Sequence, residues 1–217
     1  MKTVFITGVN RGIGNALVEK FLQEGYFVIG TSRNGSCAIV HQNFLVLPLE
    51  VISEESRKAC RDAFAKIGKK IDIFINNIGM FDPRDERVVI DADGLRATLE
   101  ANLIGPVAFT EIMLSFLEKD GHIMNISSRR GSMDYTQDVL YPAYSISKAG
   151  INMFTRKLAK RLEDYATVSC IHPGSVRTDM NPDGEISAQE SSEDIFALAE
   201  SRPQTGMFWY KGETMPW

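Results

Sequence analysis

Short apolar runs alternate along the chain with longer segments in which apolar residues recur at helical period. The predicted strands cover residues 3–6, 27–30, 71–76, 122–126 and 167–171. The predicted helices cover residues 16–24, 54–67, 95–117 and 143–162. Alternation of this kind is typical of a parallel sheet with helices on both faces. We therefore expect a three-layer α/β fold in which a central parallel sheet is doubly wound.

Four candidate functional positions, Gly8, Asn76, Ser128 and Pro173, fall at the ends of predicted strands or just after them. In an open parallel sheet these ends line one edge, and such sheets bind ligands in the crevice outside it. No repeat, low-complexity tract or linker divides the chain, so we predict one domain over residues 1–217.

The glycine-rich stretch Thr7-Gly8-Val9-Asn10-Arg11-Gly12-Ile13-Gly14 directly follows the first apolar run. A strand that turns into a helix there directs unpaired backbone N–H groups and the positive end of the helix at one point, which suits a phosphate. The glycines permit a sharp turn, a close backbone approach to a pyrophosphate, and tight packing of helix on strand. Glycine-rich turns also occur without a ligand, so this stretch alone leaves both interpretations open.

Tyr144 and Lys148 are four residues apart in a predicted helix, so their side chains project from the same face. A phenol ordinarily titrates near ~10, and an adjacent ammonium favours the phenolate and lowers that pKa. The pair is a candidate general acid/base unit. In isolation it is equally typical of an ordinary helix with one aromatic residue and one exposed lysine.

Taken together, these stretches resemble the single-domain short-chain dehydrogenases/reductases, which have a Rossmann fold, over essentially the whole chain. The matching motifs, in chain order, are the TGxxxGxG turn at residues 7–14, Asn76-Asn77-Ile78-Gly79, Asn102, Asn125-Ile126-Ser127-Ser128, the YxxxK pair Tyr144 and Lys148, and Pro173-Gly174 with Thr178. Within the family, Asn10-Arg11, Ser128-Arg129, the stretch 172–180 and the stretch 205–208 resemble the C-factor-like and Sniffer-like carbonyl-reductase branch.

The resemblance implies hydride transfer between a nicotinamide and a carbonyl carbon, with four catalytic residues. Tyr144 is expected to give a proton to the substrate oxygen, and Ser128 to donate a hydrogen bond to the same atom. Lys148 is expected to hold the nicotinamide ribose and lower the pKa of Tyr144. Asn102 is expected to bend its helix and hold a water in the proton relay, or else to mark a local irregularity without chemistry.

The resemblance also implies a cofactor site. Its predicted residues are Gly8, Asn10, Arg11, Gly12, Ile13, Gly14, Arg33, Glu50, Val51, Asn77, Ile78, Gly79, Tyr144, Lys148, Pro173, Gly174, Val176 and Thr178. Thr178 and the backbone of Val176 are expected to hold the carboxamide.

The cofactor preference follows from charge. An acidic residue at the end of the second strand favours NAD(H), whereas an arginine accommodates the 2′-phosphate of NADP(H). Here residues 30–34 contain Arg33 and no carboxylate, and Arg11 lies in the glycine turn. We therefore predict NADP(H); the opposing interpretation is that both arginines are simply solvated.

Two segments and one residue depart from the family pattern or lack regular periodicity. The loop 129–142 is enlarged, and its Arg129, Arg130, Tyr135 and Tyr141 either shape a pocket mouth for aromatic or anionic substrates or are ordinary loop residues. Ile78 replaces the usual alanine and adds bulk beside the cofactor. The polar stretch 181–194 is predicted as a loop, either solvated or a substrate flap, that leads into a short helix at 195–200.

Composition excludes several classes of function. The 217 residues are 44% hydrophobic and 24% charged with a net charge of −4, and the basic residues are scattered, so neither nucleic acid nor an anionic membrane is an expected partner. The three cysteines and three histidines are dispersed, so we predict no metal site. No signal-peptide core and no apolar run of about 18 residues is present, so we expect a soluble, cytoplasmic protein.

The expected partner is a small carbonyl or alcohol substrate, and the family suggests a homodimer or homotetramer. The alternative hypothesis is a nucleotide-binding signalling or regulatory protein with the same fold and little turnover. The presence of all four candidate catalytic residues favours the enzyme, since a binding module has no need of Ser128 or Tyr144.

Overall fold

The computed structural model describes residues 1–86, 89–135 and 139–217, and within these residues eight strands form one sheet. The strands are β1 (Thr3–Thr7), β2 (Phe27–Ser32), β3 (Phe44–Pro48), β4 (Ile71–Asn76), β5 (Leu117–Ile126), β6 (Thr167–Ile171), β7 (Phe208–Tyr210) and β8 (Glu213–Thr214). Their order is β3-β2-β1-β4-β5-β6-β7-β8, and every neighbouring pair is parallel except β7 and β8. The chain winds outward from β1 in one direction, then returns to start β4 on the other side of β1.

Six α-helices cover the sheet in the described part of the chain. They are α1 (Gly12–Gln23), α2 (Glu54–Ile67), α3 (Ala92–Leu99), α4 (Gly105–Met113), α5 (Pro142–Arg161) and α6 (Ala188–Glu200). Side chains of a strand alternate between the two faces. Accordingly, Val4 and Ile6 of β1 pack in one buried cluster with α1 and α6, whereas Phe5 packs in another with α2, α4 and α5. The predicted doubly wound, three-layer fold is confirmed.

The long helix predicted at 95–117 is interrupted. It begins as α3, widens into a π-helical turn over Glu100–Ile104, continues as α4, and ends in a 3₁₀ turn at Leu114–Phe116. The π turn contains Asn102, the residue expected to distort this helix. Such insertions are frequent at functional sites.

The predicted loop 181–194 is wrong for its second half, because helix α6 begins at Ala188 rather than at 195. Ser187 and Glu190 form a reciprocal capping box that starts the helix. The first half is also ordered by backbone pairing, since the Arg177 N–H donates to the Ile186 carbonyl oxygen at 2.8 Å. The segment predicted as a substrate flap is therefore a short paired turn followed by a helix.

Among the described residues, one helical stretch is apolar and long enough to span a membrane by length and composition alone. It covers Ala92–Phe116, with a mean hydropathy of 1.2 and about a third of the window buried. A helix that packs on the core of a water-soluble domain meets the same criterion. The stretch is therefore weak evidence for a membrane partner.

Candidate active site

The glycine turn lies between β1 and α1, at the carboxyl end of β1, a strand that pairs with both β2 and β4. Gly8 and Gly12 have φ angles of 74° and 55°, a region that side chains disfavour. The Gly8 N–H donates to the Thr31 carbonyl oxygen of β2 at 3.0 Å. A β-carbon at Gly14 would lie 2.0 Å from the Gly8 carbonyl oxygen, so only glycine lets α1 approach the strand this closely.

The start of α1 fits a phosphate. Arg11 occupies the N-cap position with an extended backbone, no side chain caps the helix, and no acidic residue lies in its first turn. The first N–H groups of a helix have no acceptor within the helix, so they are available to an anion. The predicted phosphate site is thus consistent with the backbone of the turn.

Thr7 and Asn77 brace the turn from the β4 side. The Asn77 amide donates to the carbonyl oxygens of Thr7 and Gly8 at 2.9 and 3.0 Å. The Thr7 hydroxyl accepts from the backbone N–H groups of Asn77 and Ile78 at 3.0 and 3.1 Å. Thr7, not predicted as a site residue, therefore joins the two motifs. Ile78 directs its bulk at Gly8, where an added β-carbon would meet its Cγ1 at 3.2 Å.

The two arginines predicted to hold a 2′-phosphate differ in their surroundings. Arg11 is exposed, and its guanidinium pairs with the Asp179 carboxylate at 3.1 Å. Arg33 follows β2, is exposed, and has no carboxylate partner within the described residues. Asn10 is also exposed. Arg33 thus lies just after the carboxyl end of β2, while Arg11 pairs with a residue in the segment after β6.

Glu50, Val51 and Ile13 make contacts within the fold. The Glu50 N–H donates to the Ser56 hydroxyl at 2.8 Å, and the Val51 carbonyl oxygen accepts from Arg57 at 2.7 Å. Ile13 is partly buried against the core cluster under α1. The described contacts of these three residues are structural.

Asn102 is buried within the π turn, where its amide pairs with both backbone groups of Met80. Its Oδ1 accepts from the Met80 N–H at 2.7 Å, and its Nδ2 donates to the Met80 carbonyl oxygen at 2.9 Å and to the Ser147 hydroxyl at 3.2 Å. The Ser147 hydroxyl in turn donates to the Tyr144 carbonyl oxygen at 2.7 Å. The β4 loop, the π turn and α5 are therefore linked at this point.

Lys148 is buried on α5 and directed at the end of β5. Its ammonium donates to the Ile126 carbonyl oxygen at 2.9 Å, and burial lowers its pKa from 10.5 to about 8. A β-carbon at Gly79 would lie 3.6 Å from Lys148 Nζ and 3.9 Å from Asn102 Oδ1. Gly79, Asn102 and Lys148, which belong to three separate motifs, thus lie close together.

Burial raises the pKa of the Tyr144 phenol above 10.0, while the neighbouring Ser128 side chain and the Arg130 charge act in the opposite direction. The lowering expected from Lys148 is therefore wrong for this structure. The reason is burial of the phenol, which outweighs the nearby charges; Lys148 Nζ lies 5.5 Å from the centroid of the Tyr144 ring and donates to the Ile126 carbonyl oxygen.

Aromatic and basic side chains line the described part of the loop 129–142, whose residues 136–138 lie outside the described chain. Arg130 lies over the Tyr141 ring at 4.5 Å, and that ring contacts Phe81 edge-on at 4.9 Å. Arg129 lies over Tyr135 at 4.9 Å. These contacts agree with either earlier interpretation of the loop, a pocket mouth or ordinary surface packing.

The segment after β6 closes over the glycine turn. A β-carbon at Gly12 would lie 3.2 Å from the Thr178 methyl group, and the Thr178 N–H donates to Asn181. The Pro173 carbonyl oxygen accepts from Ser191 of α6 at 2.8 Å. Gly174 has a φ of 91°, and Val176 is buried. Thr178 and the glycine turn are therefore adjacent.

Comparison with known proteins identifies the family. The family model described as short chain dehydrogenase matches residues 2–188. The chain belongs to the short-chain dehydrogenase family. Its members are oxidoreductases that use nicotinamide dinucleotides, so the predicted family is confirmed, and the predicted enzyme class is confirmed as an oxidoreductase.

Three similar proteins place the chain within this family. An uncharacterized oxidoreductase of Schizosaccharomyces pombe is 30% identical over 89% of this chain and 81% of its own length. An NADPH-bound carbonyl reductase from chicken fatty liver superposes with a TM-score of 0.88 at 25% identity, covering 100% of this chain and 94% of that one. The Sniffer carbonyl reductase of D. melanogaster superposes with a TM-score of 0.92 at 24% identity, covering 100% of both chains. The predicted resemblance to the Sniffer branch is confirmed at the level of the fold.

Proposed function

We propose that this short-chain dehydrogenase reduces an aldehyde or ketone to an alcohol with NADPH. The observation that carries the proposal is the grouping of three side chains: Ser128 acts on the Tyr144 phenol, and Lys148 lies one helical turn from Tyr144 on α5, with its Nζ 5.5 Å from the ring centroid. The likeness to an NADPH-bound carbonyl reductase at 25% identity supports the same reaction.

The residues of the sheet edge suit a dinucleotide. The backbone N–H groups of the turn Gly8–Gly14 and of the uncapped start of α1 would hold the pyrophosphate. Lys148, together with Gly79, would hold the nicotinamide ribose. Thr178, which lies against Gly12, would hold the carboxamide, and exposed Arg33 would face the 2′-phosphate. When bound, the nicotinamide supplies the hydride.

In this proposal Tyr144 is the general acid. Because burial raises its pKa, the phenol stays protonated at neutral pH and is ready to donate a proton to the substrate oxygen. Ser128 donates a hydrogen bond to the same oxygen, which stabilises charge that develops only in the transition state. Lys148 keeps a positive charge beside this pair below about pH 8.

The decisive variant is Tyr144→Phe, with Tyr165→Phe as its control. Tyr165 lies away from the site and donates to the Leu117 carbonyl oxygen at 2.8 Å. Tyr144→Phe should retain the wild-type Kd for NADPH while kcat on a panel of aldehydes, ketones and quinones falls roughly 10²–10⁴-fold. Equal kcat in both variants would contradict the proposal. A wild-type protein that binds NADPH but turns over no carbonyl would favour the regulatory alternative.

We also propose a homodimer formed through α5 and the neighbouring π turn. Ile146 and Met153 lie two turns apart on one face of α5 and are 44% and 57% exposed, and Ile104 is 48% exposed. Exposed apolar side chains grouped in this way favour an interface between copies of the chain. Light scattering should show a dimer for the wild type and a monomer for Met153→Glu.

A further inference from the structure

Helix α5 begins without a cap of its own. Tyr141 occupies the N-cap position in the left-handed region, with φ of 61°, and its side chain makes no capping hydrogen bond. The first N–H groups of the helix must therefore find acceptors elsewhere. Tyr144 lies in this first turn, so whatever fixes the start of α5 also fixes the base of the candidate general acid.

Asp85 supplies the missing acceptors from a distant part of the chain. One carboxylate oxygen accepts from the Ala143 N–H and the other from the Tyr144 N–H, both at 2.8 Å. The Asp85 carbonyl oxygen accepts from the Tyr141 N–H at 3.0 Å. The residue is only 7% exposed. A carboxylate at the positive end of a helix makes short, strong hydrogen bonds of this kind.

The loop that carries Asp85 is itself held in place. Asp85 donates its N–H to the Asp82 carbonyl oxygen at 2.9 Å. The Asp82 carboxylate is bound by the Arg84 guanidinium at 2.7 and 3.0 Å. Five residues earlier in the same loop, Met80 makes both backbone bonds to Asn102. One segment of chain therefore contacts two candidate catalytic elements, the π turn and the first turn of α5.

We propose that Asp85 is a positioning residue, which sets the place of Tyr144 relative to Ser128 by anchoring the first turn of α5. The inference rests on the proposed function, because positioning matters for rate only if Tyr144 is the proton donor. Asp85 acts through the backbone of Tyr144 and has no described contact with the phenol. A small displacement of a reacting group is enough to lower a rate by roughly a hundredfold.

The test compares Asp85→Ala and Asp85→Asn with Asp91→Ala. Asp91 serves as the control, because it lies in the same connection, pairs with Arg84 at 3.3 Å and caps α3 through the Gly94 N–H at 2.6 Å, but makes no described hydrogen bond to α5. Asp85→Asn retains one acceptor oxygen and is the conservative variant. For each protein we would measure the melting temperature, the Kd for NADPH, kcat and KM with 4-nitrobenzaldehyde, and a crystal structure.

The expected result is a fall in kcat of roughly ten- to a hundredfold for Asp85→Ala, with an NADPH Kd within about twofold of wild type. Asp85→Asn should lie between this variant and the wild type. Asp91→Ala should lose a similar amount of thermal stability and keep its kcat. If Asp85→Ala and Asp91→Ala are equally destabilised and both keep kcat, Asp85 is merely a helix cap and the inference is overturned.

The crystal structures separate failure of the inference from failure of the proposed function. If the wild type reduces no carbonyl, the proposed function fails, and the position of Tyr144 decides about Asp85. A Tyr144 phenol that moves away from Ser128 in Asp85→Ala, but not in Asp91→Ala, supports the positioning role. A phenol that stays in place in both variants overturns it.

Discussion

The side-chain amide of Asn102 binds both backbone groups of Met80. Its Oδ1 accepts from the Met80 N–H at 2.7 Å, and its Nδ2 donates to the Met80 carbonyl oxygen at 2.9 Å. The side chain is almost completely buried, so these bonds are formed away from water. Breaking them leaves polar backbone groups without partners, which is more costly than the net gain from the bonds themselves. The pairing therefore stabilises the π turn against the loop after β4.

We accordingly expect Asn102→Ala to lower the free energy of unfolding by about 2–3 kcal/mol and to reduce kcat. Asn102→Asp retains the acceptor for the Met80 N–H but places a carboxylate oxygen against its carbonyl, so it should be at least as unstable. Urea denaturation of both variants measures the effect. An unfolding free energy equal to that of the wild type would contradict the role of the pairing.

Sequence patterns predicted best where local signals are strong. Helix Glu54–Ile67 has the predicted bounds because Ser53 caps its start and Gly68 adopts the left-handed conformation at its end. Strand β3 was missed, since this edge strand is only five residues long and only Phe44 in it is buried. The first turns of α6 were missed because Ser191 and Ser192 form their buried face, which gives no apolar periodicity.

In the candidate site too, local sequence signals were predictive and contacts between distant segments were not. Motifs within a few residues of one another, such as Tyr144 with Lys148, identified the residues that the structure brings together. Contacts between distant segments were not predictable: Arg11 pairs with Asp179, and Asp85 binds the start of α5, with no local pattern to signal either. The pKa of Tyr144 was predicted in the wrong direction because burial depends on the whole fold.

The close approach of Gly14 to Gly8 gives a second prediction. Gly14→Ala would place a β-carbon 2.0 Å from the Gly8 carbonyl oxygen and 2.6 Å from the Asn77 amide nitrogen, so the turn must shift. We expect a loss of NADPH binding together with a lower melting temperature. Gly68→Ala is the control, because its added β-carbon meets nothing within 4 Å although its φ is 69°.

The control should lose about 1 kcal/mol of stability from backbone strain alone and keep its affinity for NADPH. Calorimetric titration of both variants distinguishes the two effects. If Gly14→Ala binds NADPH as tightly as Gly68→Ala does, the glycine turn is not the phosphate site.

The ion pair between Arg11 and Asp179 gives a third prediction, about cofactor choice. Both side chains are mostly exposed, so the pair stabilises the fold little, but it competes with a 2′-phosphate for the Arg11 guanidinium. Asp179→Asn should tighten NADPH binding by up to about fivefold and leave NADH binding unchanged. Calorimetry with each cofactor at low ionic strength measures both values.

Arg33→Asp should act in the opposite direction, weakening NADPH binding far more than NADH binding, because a carboxylate there repels a 2′-phosphate and suits a 2′-hydroxyl. Equal losses for the two cofactors would remove Arg33 from the phosphate site. An NADH preference in the wild type would overturn the argument for NADP(H) while leaving the family assignment intact.

Burial of Lys148 predicts how stability changes with pH. Its pKa is about 8 in the folded protein and near 10.5 when the side chain is in water, so between these values the unfolded chain binds the additional proton. Stability must then rise with pH across this window, since the cost of burying the ammonium disappears as it loses its proton. Lys148→Met removes this titration and is nearly the same length.

The difference in unfolding free energy between the wild type and Lys148→Met should therefore increase in favour of the wild type from pH 8 to pH 10.5, by about 3 kcal/mol at most. Below pH 8 the difference should be constant, because Lys148 is then protonated in both states. Urea denaturation at half-unit intervals of pH measures it, and taking the difference cancels the titrations that the two proteins share. Parallel stability curves across the whole range would mean that the Lys148 ammonium is not desolvated by the fold.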